Sequence, residues 1–172
     1  VYNTLGWTYY QNHLNEKAMQ MFKYSLKLKP NKSEARKGMG YLYFRLGHYD
    51  SAITMLKQCL ALNPNPNPVS ERVTGSNAIG PFNIQTTART KLGRAHYAKD
   101  NFQKAIKVYN EEIRLNSNQP DAYDGLGWAL LKNNRALEAR SAFATAVNLE
   151  PLNNSAHKGL VKAKQTITEE SL

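Results

Sequence analysis

Apolar residues recur along the chain at helical spacing, in runs of about 12 to 14 residues that short polar stretches separate. Two such runs form one repeat: Gly6 and Gly40 are 34 residues apart, and so are Gly93 and Gly127. A fixed period of this length is typical of arrays of helix pairs, in which each pair packs only against its neighbours. The pattern therefore predicts an all-α chain of helix–turn–helix repeats.

The distance from Gly40 to Gly93 is 53 residues, which exceeds the period by 19. We assign the excess to one inserted segment. The predicted organisation is two repeats in 1–66, the insertion in 67–85, two repeats in 86–153, and in 154–172 a capping helix that ends at residue 166 and a polar tail that begins there. The insertion follows alternating prolines and contains glycine turn signals, so both a tolerated surface loop and a docking element remain open.

The repeats share more than their glycines. The first reads Tyr2-x2-Leu5-Gly6-x2-Tyr9, Ala18-x3-Phe22 and Pro30, and most of these positions recur in the other three. This pattern resembles the tetratricopeptide repeat family. The resemblance covers everything outside the insertion and the tail, and it implies an α-solenoid that winds as a right-handed superhelix. Glycine inside a helix costs about 1 kcal/mol relative to alanine, so its recurrence predicts close helix packing.

The position seven residues after each repeat glycine is expected to form the turn between paired helices. It is occupied by His13, Gly47, Asp100 and Asn134. These residue types tolerate a positive φ, which a tight turn between helices often requires.

The family resemblance also implies where a partner binds, namely at positions three before, one after and four after each glycine, on the concave side. These positions also hold Asn3, Thr90 and Asp124, and the candidates that we select from them are Trp7, Tyr10, Lys37, Tyr41, Phe44, Arg94, Tyr97, Trp128, Leu131, Lys158 and Lys162. Aromatic residues and arginine dominate binding energy in interfaces. We therefore expect a protein or peptide partner with apolar anchors and acidic groups. Packing between repeats is an equally common role for such aromatic residues, and self-association stays open.

Some tetratricopeptide domains hold the acidic C-terminal tail of heat-shock chaperones with a set of Lys, Asn and Arg side chains. At the matching positions only Lys37 has the right chemistry, since Trp7 and Tyr41 stand where asparagine belongs. A chaperone tail is therefore disfavoured as the partner.

The chain offers little for catalysis. It contains no phosphate-binding loop, dinucleotide fingerprint or zinc-protease motif, and its four histidines fall in different repeats. Cys59 lies in an apolar run and is predicted to be a buried small hydrophobe. We expect neither enzyme activity nor a cofactor or metal.

The net charge is +10, from 23 basic and 13 acidic residues. Residues 1–32 contain five basic residues and one acidic residue, and residues 86–119 contain seven basic and three acidic residues. Residues 120–172 contain six of each. Many of the lysines, among them Lys23, Lys27 and Lys104, lie on the predicted second helix of a repeat. This outer charge allows attraction to nucleic acid or to an anionic surface.

Three functions follow, in order of preference. The first is a non-catalytic interaction module or scaffold, and the second is the recruiting arm of a larger enzyme, secretion or assembly machine. The third is binding of nucleic acid or an anionic surface, which is disfavoured because no base-reading motif is present. No run of about 18 apolar residues predicts a membrane span. The chain starts at Val1, so we expect a piece of a longer protein and predict no localisation.

Overall fold

The computed structural model describes residues 1–62 and 84–170, with the side chains of 84–87 and 170 left out. Within these residues every regular element is an α-helix. The helices are α1 Tyr2–Gln11, α2 Asn15–Leu28, α3 Ser33–Arg45, α4 Tyr49–Ala61, α5 Ile84–Ala98, α6 Phe102–Leu115, α7 Pro120–Lys132, α8 Ala136–Leu149 and α9 Asn154–Glu170. The chain forms two compact units, unit 1 from Val1 to Leu92 and unit 2 from Gly93 to Leu172.

The predicted insertion at 67–85 lies outside the described residues, apart from its last two positions. There α5 already begins at Ile84, two residues before the expected start of the third repeat. None of the helices in the described part of the chain is long and apolar enough to cross a membrane.

The four predicted turn residues all have a positive φ, which is 59° at His13, 78° at Gly47, 55° at Asp100 and 57° at Asn134. Each lies in the same hydrogen-bonded turn. At the first, the His13 amide donates to the carbonyl of Tyr10 at 3.1 Å and the Leu14 amide donates to that of Tyr9 at 2.9 Å. This pair of bonds is the Schellman motif, which satisfies the last carbonyls of a helix. The sequence prediction is confirmed at all four turns.

Each core aromatic ring of a second helix fills the space left open by two glycines of first helices. A Cβ placed on Gly6 would lie 2.6 Å from Cε1 of Phe22, and one on Gly38 would also meet that ring. The same arrangement holds for Tyr109 with Gly93 and Gly125, and for Phe143 with Gly127 and Gly159. The three rings are essentially inaccessible to solvent. The recurrent glycines therefore do allow close helix packing, as the sequence predicts.

Helix α9 is longer than predicted, because the expected polar tail from Thr166 onward is helical as far as Glu170. No glycine or proline interrupts this stretch. The hydroxyls of Thr166 and Thr168 donate to the backbone carbonyls of Lys162 and Lys164, each at 3.1 Å. Such bonds to the carbonyl four residues earlier satisfy the threonine side chains within the helix. The predicted end of the capping helix at residue 166 was therefore four residues too early.

Candidate partner-binding surfaces

Helices α1 and α3 of unit 1 bring five predicted residues together on one surface. We call it the aromatic–lysine face, and it consists of Trp7, Tyr10, Lys37, Tyr41 and Phe44. Trp7 makes edge contacts with Tyr10 and Tyr41, with ring centroids 5.5 Å apart in each case. Tyr10 and Tyr41 are 6.4 Å apart. All five side chains are half-buried, so each ring contributes to packing while keeping part of its area open.

Lys37 places its ammonium group over this cluster. Its Nζ lies 5.3 Å from the ring centroid of Trp7 and 5.9 Å from that of Tyr41, within the range of cation–π attraction. Burial lowers the pKa of Lys37 from its ordinary value, and the negative charge of Glu34 only partly offsets this. Among the residues that the structure describes, no carboxylate forms an ion pair with this ammonium group.

Two basic residues that sequence reasoning did not select also contact the aromatic–lysine face. The guanidinium carbon of Arg45 lies 3.4 Å from the ring centroid of Tyr10, and Nη1 donates to the Tyr10 carbonyl at 2.6 Å. Lys91 places Nζ 4.9 Å from the ring centroids of both Tyr41 and Phe44. Arg45 lies five residues after its repeat glycine and Lys91 two residues before its own, so neither is at the positions three before, one after or four after the glycine from which the candidates were taken.

Unit 2 contains a pocket of about 350 Å³, which we call the unit 2 pocket. The residues that matter for its chemistry are Arg94, Tyr97, Asp121, Asp124, Trp128 and Ser155. The ring of Trp128 packs edge-on against Phe143 with centroids 5.2 Å apart. In unit 1 the equivalent Trp7 packs in the same way against Phe22, at 5.5 Å. Both tryptophans therefore combine a core contact with a surface position.

A hydrogen-bond chain crosses the unit 2 pocket from α7 to α9. Nε1 of Trp128 donates to Oγ of Ser155 at 3.0 Å, and Ser155 donates to Oδ1 of Asp124 at 3.1 Å. Asp124 is only 8% exposed. Burial raises the pKa of Asp124, although the Ser155 hydrogen bond and the charge of Arg94 act in the opposite direction. The carboxyl is thus held mainly by neutral donors.

Arg94 is engaged in an ion pair, since its Nη2 lies 3.0 Å from Oδ1 of Asp121. The two side chains are 40% and 63% exposed, so this pair is open to solvent and contributes little to stability. With Asp124 included, the unit 2 pocket holds two carboxyl groups and one guanidinium. Its charge therefore differs from that of the aromatic–lysine face, although the sequence predicts one partner with acidic groups for the candidate residues of both.

The polar contacts between consecutive first helices follow two spacings. Trp128–Ser155 and Arg94–Asp121 both join residues 27 positions apart. Asp124–Ser155 joins residues 31 apart, as does the 3.2 Å bond that Nδ2 of Asn3 donates to Oε2 of Glu34. In each pair, one residue lies one position after or three positions before a repeat glycine. The other lies six positions before the place that corresponds to that glycine in the next repeat. That rule is the sequence signal by which Asp121 and Ser155 are identifiable.

The remaining predicted residues lie elsewhere. Tyr97 lines the unit 2 pocket, whereas Leu131 is half-buried and packs against the hydrophobic core of unit 2. Lys158 and Lys162 are exposed on α9, where with Val161 they line a shallow depression formed by that helix alone. The structure does not bring these two lysines into the unit 2 pocket.

Cys59 is fully buried, as the sequence predicts, and burial raises the pKa of its thiol to about 11. Within 1–62 and 84–170, no three His, Cys, Asp or Glu side chains cluster so that they could hold a metal ion.

Solved structures with the same architecture are numerous. A crystal structure of MamA matches with a TM-score of 0.77 at 23% identity, over 97% of this chain and 81% of that one. A structure of the first repeat domain of Spaghetti (RPAP3), solved with the HSP90 peptide SRMEEVD, matches with a TM-score of 0.67 at 23% identity, over 80% and 94%. Similarity at this identity establishes the fold.

Two curated relatives each share 26% identity with this chain. The peroxisomal targeting signal receptor of Saccharomyces cerevisiae matches over 86% of this chain and 28% of its own length. The peptidyl-prolyl cis-trans isomerase FKBP4 of Bos taurus matches over 94% and 35%. The chain therefore spans about a third of the length of these relatives.

Family models described as tetratricopeptide repeat match residues 9–70 and 86–119, so the first match extends four residues into the predicted insertion and the second begins directly after it. Together the matches include the end of α1, all of α2, α3, α4 and α6, and all but the first two residues of α5. The chain belongs to the tetratricopeptide repeat family and has its all-α solenoid fold.

Proposed function

We propose that this chain is a non-catalytic protein-interaction module whose aromatic–lysine face binds a partner segment with apolar and acidic side chains. The observation that carries the proposal is the Lys37 ammonium group over the rings of Trp7 and Tyr41, without an ion-paired carboxylate among the described residues. A carboxylate from a partner would compensate the hydration that this ammonium group has lost on burial.

The aromatic rings supply the apolar part of the site. Half-exposed tyrosine and tryptophan side chains offer large contact areas with few rotatable bonds, so little conformational entropy is lost on binding. Tyr10 is already fixed by the stacked guanidinium of Arg45, and Tyr41 is held between Trp7 and the ammonium groups of Lys37 and Lys91. A surface ordered in advance in this way favours affinity, because the ordering free energy is not spent at the moment of binding.

The comparisons support a peptide as the ligand class. The peptide bound to Spaghetti, SRMEEVD, combines apolar and acidic residues. This chain nevertheless lacks most of the Lys, Asn and Arg set expected of a chaperone-tail clamp, so the chaperone tail stays a disfavoured partner.

The test is selection of ligands from a displayed library of random 12-residue peptides, followed by fluorescence anisotropy with the synthesised winners. We expect the winners to combine aliphatic or aromatic residues with Asp or Glu. Tyr41→Ala and Lys37→Met should each weaken their binding at least tenfold, whereas Lys57→Met, on the exposed side of α4, should leave it unchanged. Winners that lack acidic residues, or that bind both face variants as tightly as the parent, would overturn the proposal.

A further inference from the structure

We propose that the unit 2 pocket binds a cationic side chain, the guanidinium or ammonium group of an arginine or lysine on a partner segment. The inference rests on the proposed function only in taking the ligand from a partner protein. It assigns to unit 2 a preference opposite in sign to that of the aromatic–lysine face.

The first argument is the charge count. The unit 2 pocket contains the carboxyl groups of Asp121 and Asp124, and its one guanidinium, that of Arg94, lies 3.0 Å from Asp121. Asp124 is more than nine-tenths buried, yet its hydrogen-bond partner is the neutral hydroxyl of Ser155. A buried carboxylate without a cation of its own is unfavourable, and a second cation would remove that imbalance.

The balance of effects on Asp124 points the same way. Its pKa is raised chiefly by burial, and the neighbouring charge of Asp121 raises it further. Arg94 and the donors Ser155 and Trp128 lower it but do not cancel the rise. The pocket therefore favours any change that adds positive charge beside Asp124.

The second argument is the shape and lining of the pocket. Its volume of about 350 Å³ is at the lower end of the range, about 300–1,000 Å³, of small-ligand sites. The rings of Tyr97 and Trp128 line it together with the carboxyl groups. Aromatic faces attract a guanidinium or ammonium group, and the attraction grows when water is excluded. An aromatic wall beside two carboxylates suits a cationic side chain with an apolar stem.

An anionic ligand is the alternative, because Arg94 also lines the pocket. An anion that approached Arg94 would have to displace Asp121 and would stand close to the buried charge of Asp124. Like charges this close disfavour each other by an amount comparable to the gain from an ion pair. The site therefore discriminates against acidic side chains.

The experiment uses the two tryptophans as separate reporters. The chain contains only Trp7 and Trp128, so its two indole N–H signals, assigned with Trp7→Phe, report on the aromatic–lysine face and the unit 2 pocket separately. The probes for the pocket are N-acetyl-arginine methylamide, its neutral isostere N-acetyl-citrulline methylamide, and N-acetyl-glutamate methylamide. We expect the arginine probe to shift the Trp128 signal saturably, with at least fivefold higher affinity than either of the others.

The variants Asp124→Asn and Asp121→Asn should each weaken binding of the arginine probe at least threefold, and Glu169→Gln, an exposed carboxylate on α9, should leave it unchanged. If Asp124→Asn does not fold, the Asp121 variant still decides. A Trp128 signal that responds equally to citrulline, or not at all to arginine, would overturn the inference. Binding of the selected peptides to the aromatic–lysine face is tested separately with Tyr41→Ala. A negative result at the unit 2 pocket therefore leaves the proposed function intact.

Discussion

The ring of Phe143 occupies the space in which a side chain on Gly127 would lie. A Cβ built on Gly127 would be 2.6 Å from Cε1 of that ring, well inside van der Waals contact. Phe143 has little room to move aside, because it is fully buried and Gly159 confines the same ring from the next first helix. The close approach of α7 to α8 therefore depends on the missing side chain.

The first prediction concerns this contact. Gly127→Ala should lower the free energy of unfolding by up to about 2 kcal/mol, since the loss from overpacking, about 1–3 kcal/mol, is offset only in part by the gain in helix propensity, about 1 kcal/mol. Urea denaturation followed by circular dichroism measures the difference. Ser141→Ala, on the exposed side of α8, is the control and should change stability by less than about 0.5 kcal/mol. An alanine variant as stable as the parent would show that the ring adapts.

The sequence predicted features that are decided within one helix or one turn. The positive φ of His13 and Asp100 follows from residue type at a fixed register position, because few side chains tolerate that conformation. The buried glycines follow in the same way, since a costly residue that recurs inside helices indicates a steric reason.

The contacts between consecutive repeats could be predicted less well from the sequence. Their geometry is the same from one repeat to the next, but the chemistry of the paired side chains is not. Arg94 meets Asp121 and Trp128 meets Ser155 across the same spacing of 27 residues, so one geometry holds an ion pair in one place and a neutral hydrogen bond in the other. Arg94 was therefore predicted to be available to a partner, whereas in the structure it pairs with Asp121. Lys158 and Lys162 were predicted to bind the partner together with the other candidates, because the register position alone does not determine which side chains share a pocket.

The second prediction separates stability from binding at Lys37. Burial of the ammonium group lowers the pKa of Lys37, so charge at this position opposes folding at neutral pH. Lys37→Met keeps an apolar stem and should therefore leave the free energy of unfolding unchanged or slightly higher. Urea denaturation at pH 7 checks this, and peptide binding by the same variant should be weakened at least tenfold. A variant that is clearly less stable would assign Lys37 a structural role instead.

The third prediction is a pH dependence at Asp124. Its pKa is raised in the folded chain, so its contribution to stability is complete below the unfolded pKa of about 3.9 and is lost as the pH rises through the folded value. Asp124→Asn removes the titration while its amide oxygen can still accept the Ser155 hydrogen bond. We expect the stability of this variant, relative to the parent, to increase from pH 3.5 to pH 7.

Chemical denaturation of both proteins at the two pH values measures that difference, in which the other titrating groups cancel. A relative stability that stays flat or falls with pH would contradict a raised pKa at Asp124.

The fourth prediction concerns the reactivity of Cys59. With a pKa of about 11 the folded thiol is about one part in a thousand ionised at pH 8, against roughly a quarter for an ordinary cysteine. Alkylation by iodoacetamide at pH 8 should therefore be more than a hundredfold slower in the native protein than in urea. Cys59→Ser gives the background. Native and unfolded rates within tenfold of each other would indicate an accessible thiolate.

The last prediction arises from the one repeat junction that departs from the glycine–aromatic–glycine pattern. Leu56 stands at the position of Phe22, Tyr109 and Phe143 and meets only Gly40, where a Cβ would lie 2.7 Å from its Cγ. The second glycine position of this junction, two residues before Gly93, is occupied by Lys91. A smaller core residue and a larger first-helix residue therefore coincide. We infer that they compensate each other in volume.

A double-mutant cycle tests the compensation. Leu56→Phe alone should destabilise unit 1 by about 1–3 kcal/mol through overpacking, and Lys91→Gly alone by about 1 kcal/mol through helix propensity. Together they should recreate the arrangement of the other junctions, so the double variant should be more stable than the sum of the single effects by about 1 kcal/mol. The loss of the Lys91 ammonium group from Tyr41 and Phe44 cancels, because it occurs in both arms of the cycle. Additivity within about 0.5 kcal/mol would show that the two positions do not share one space.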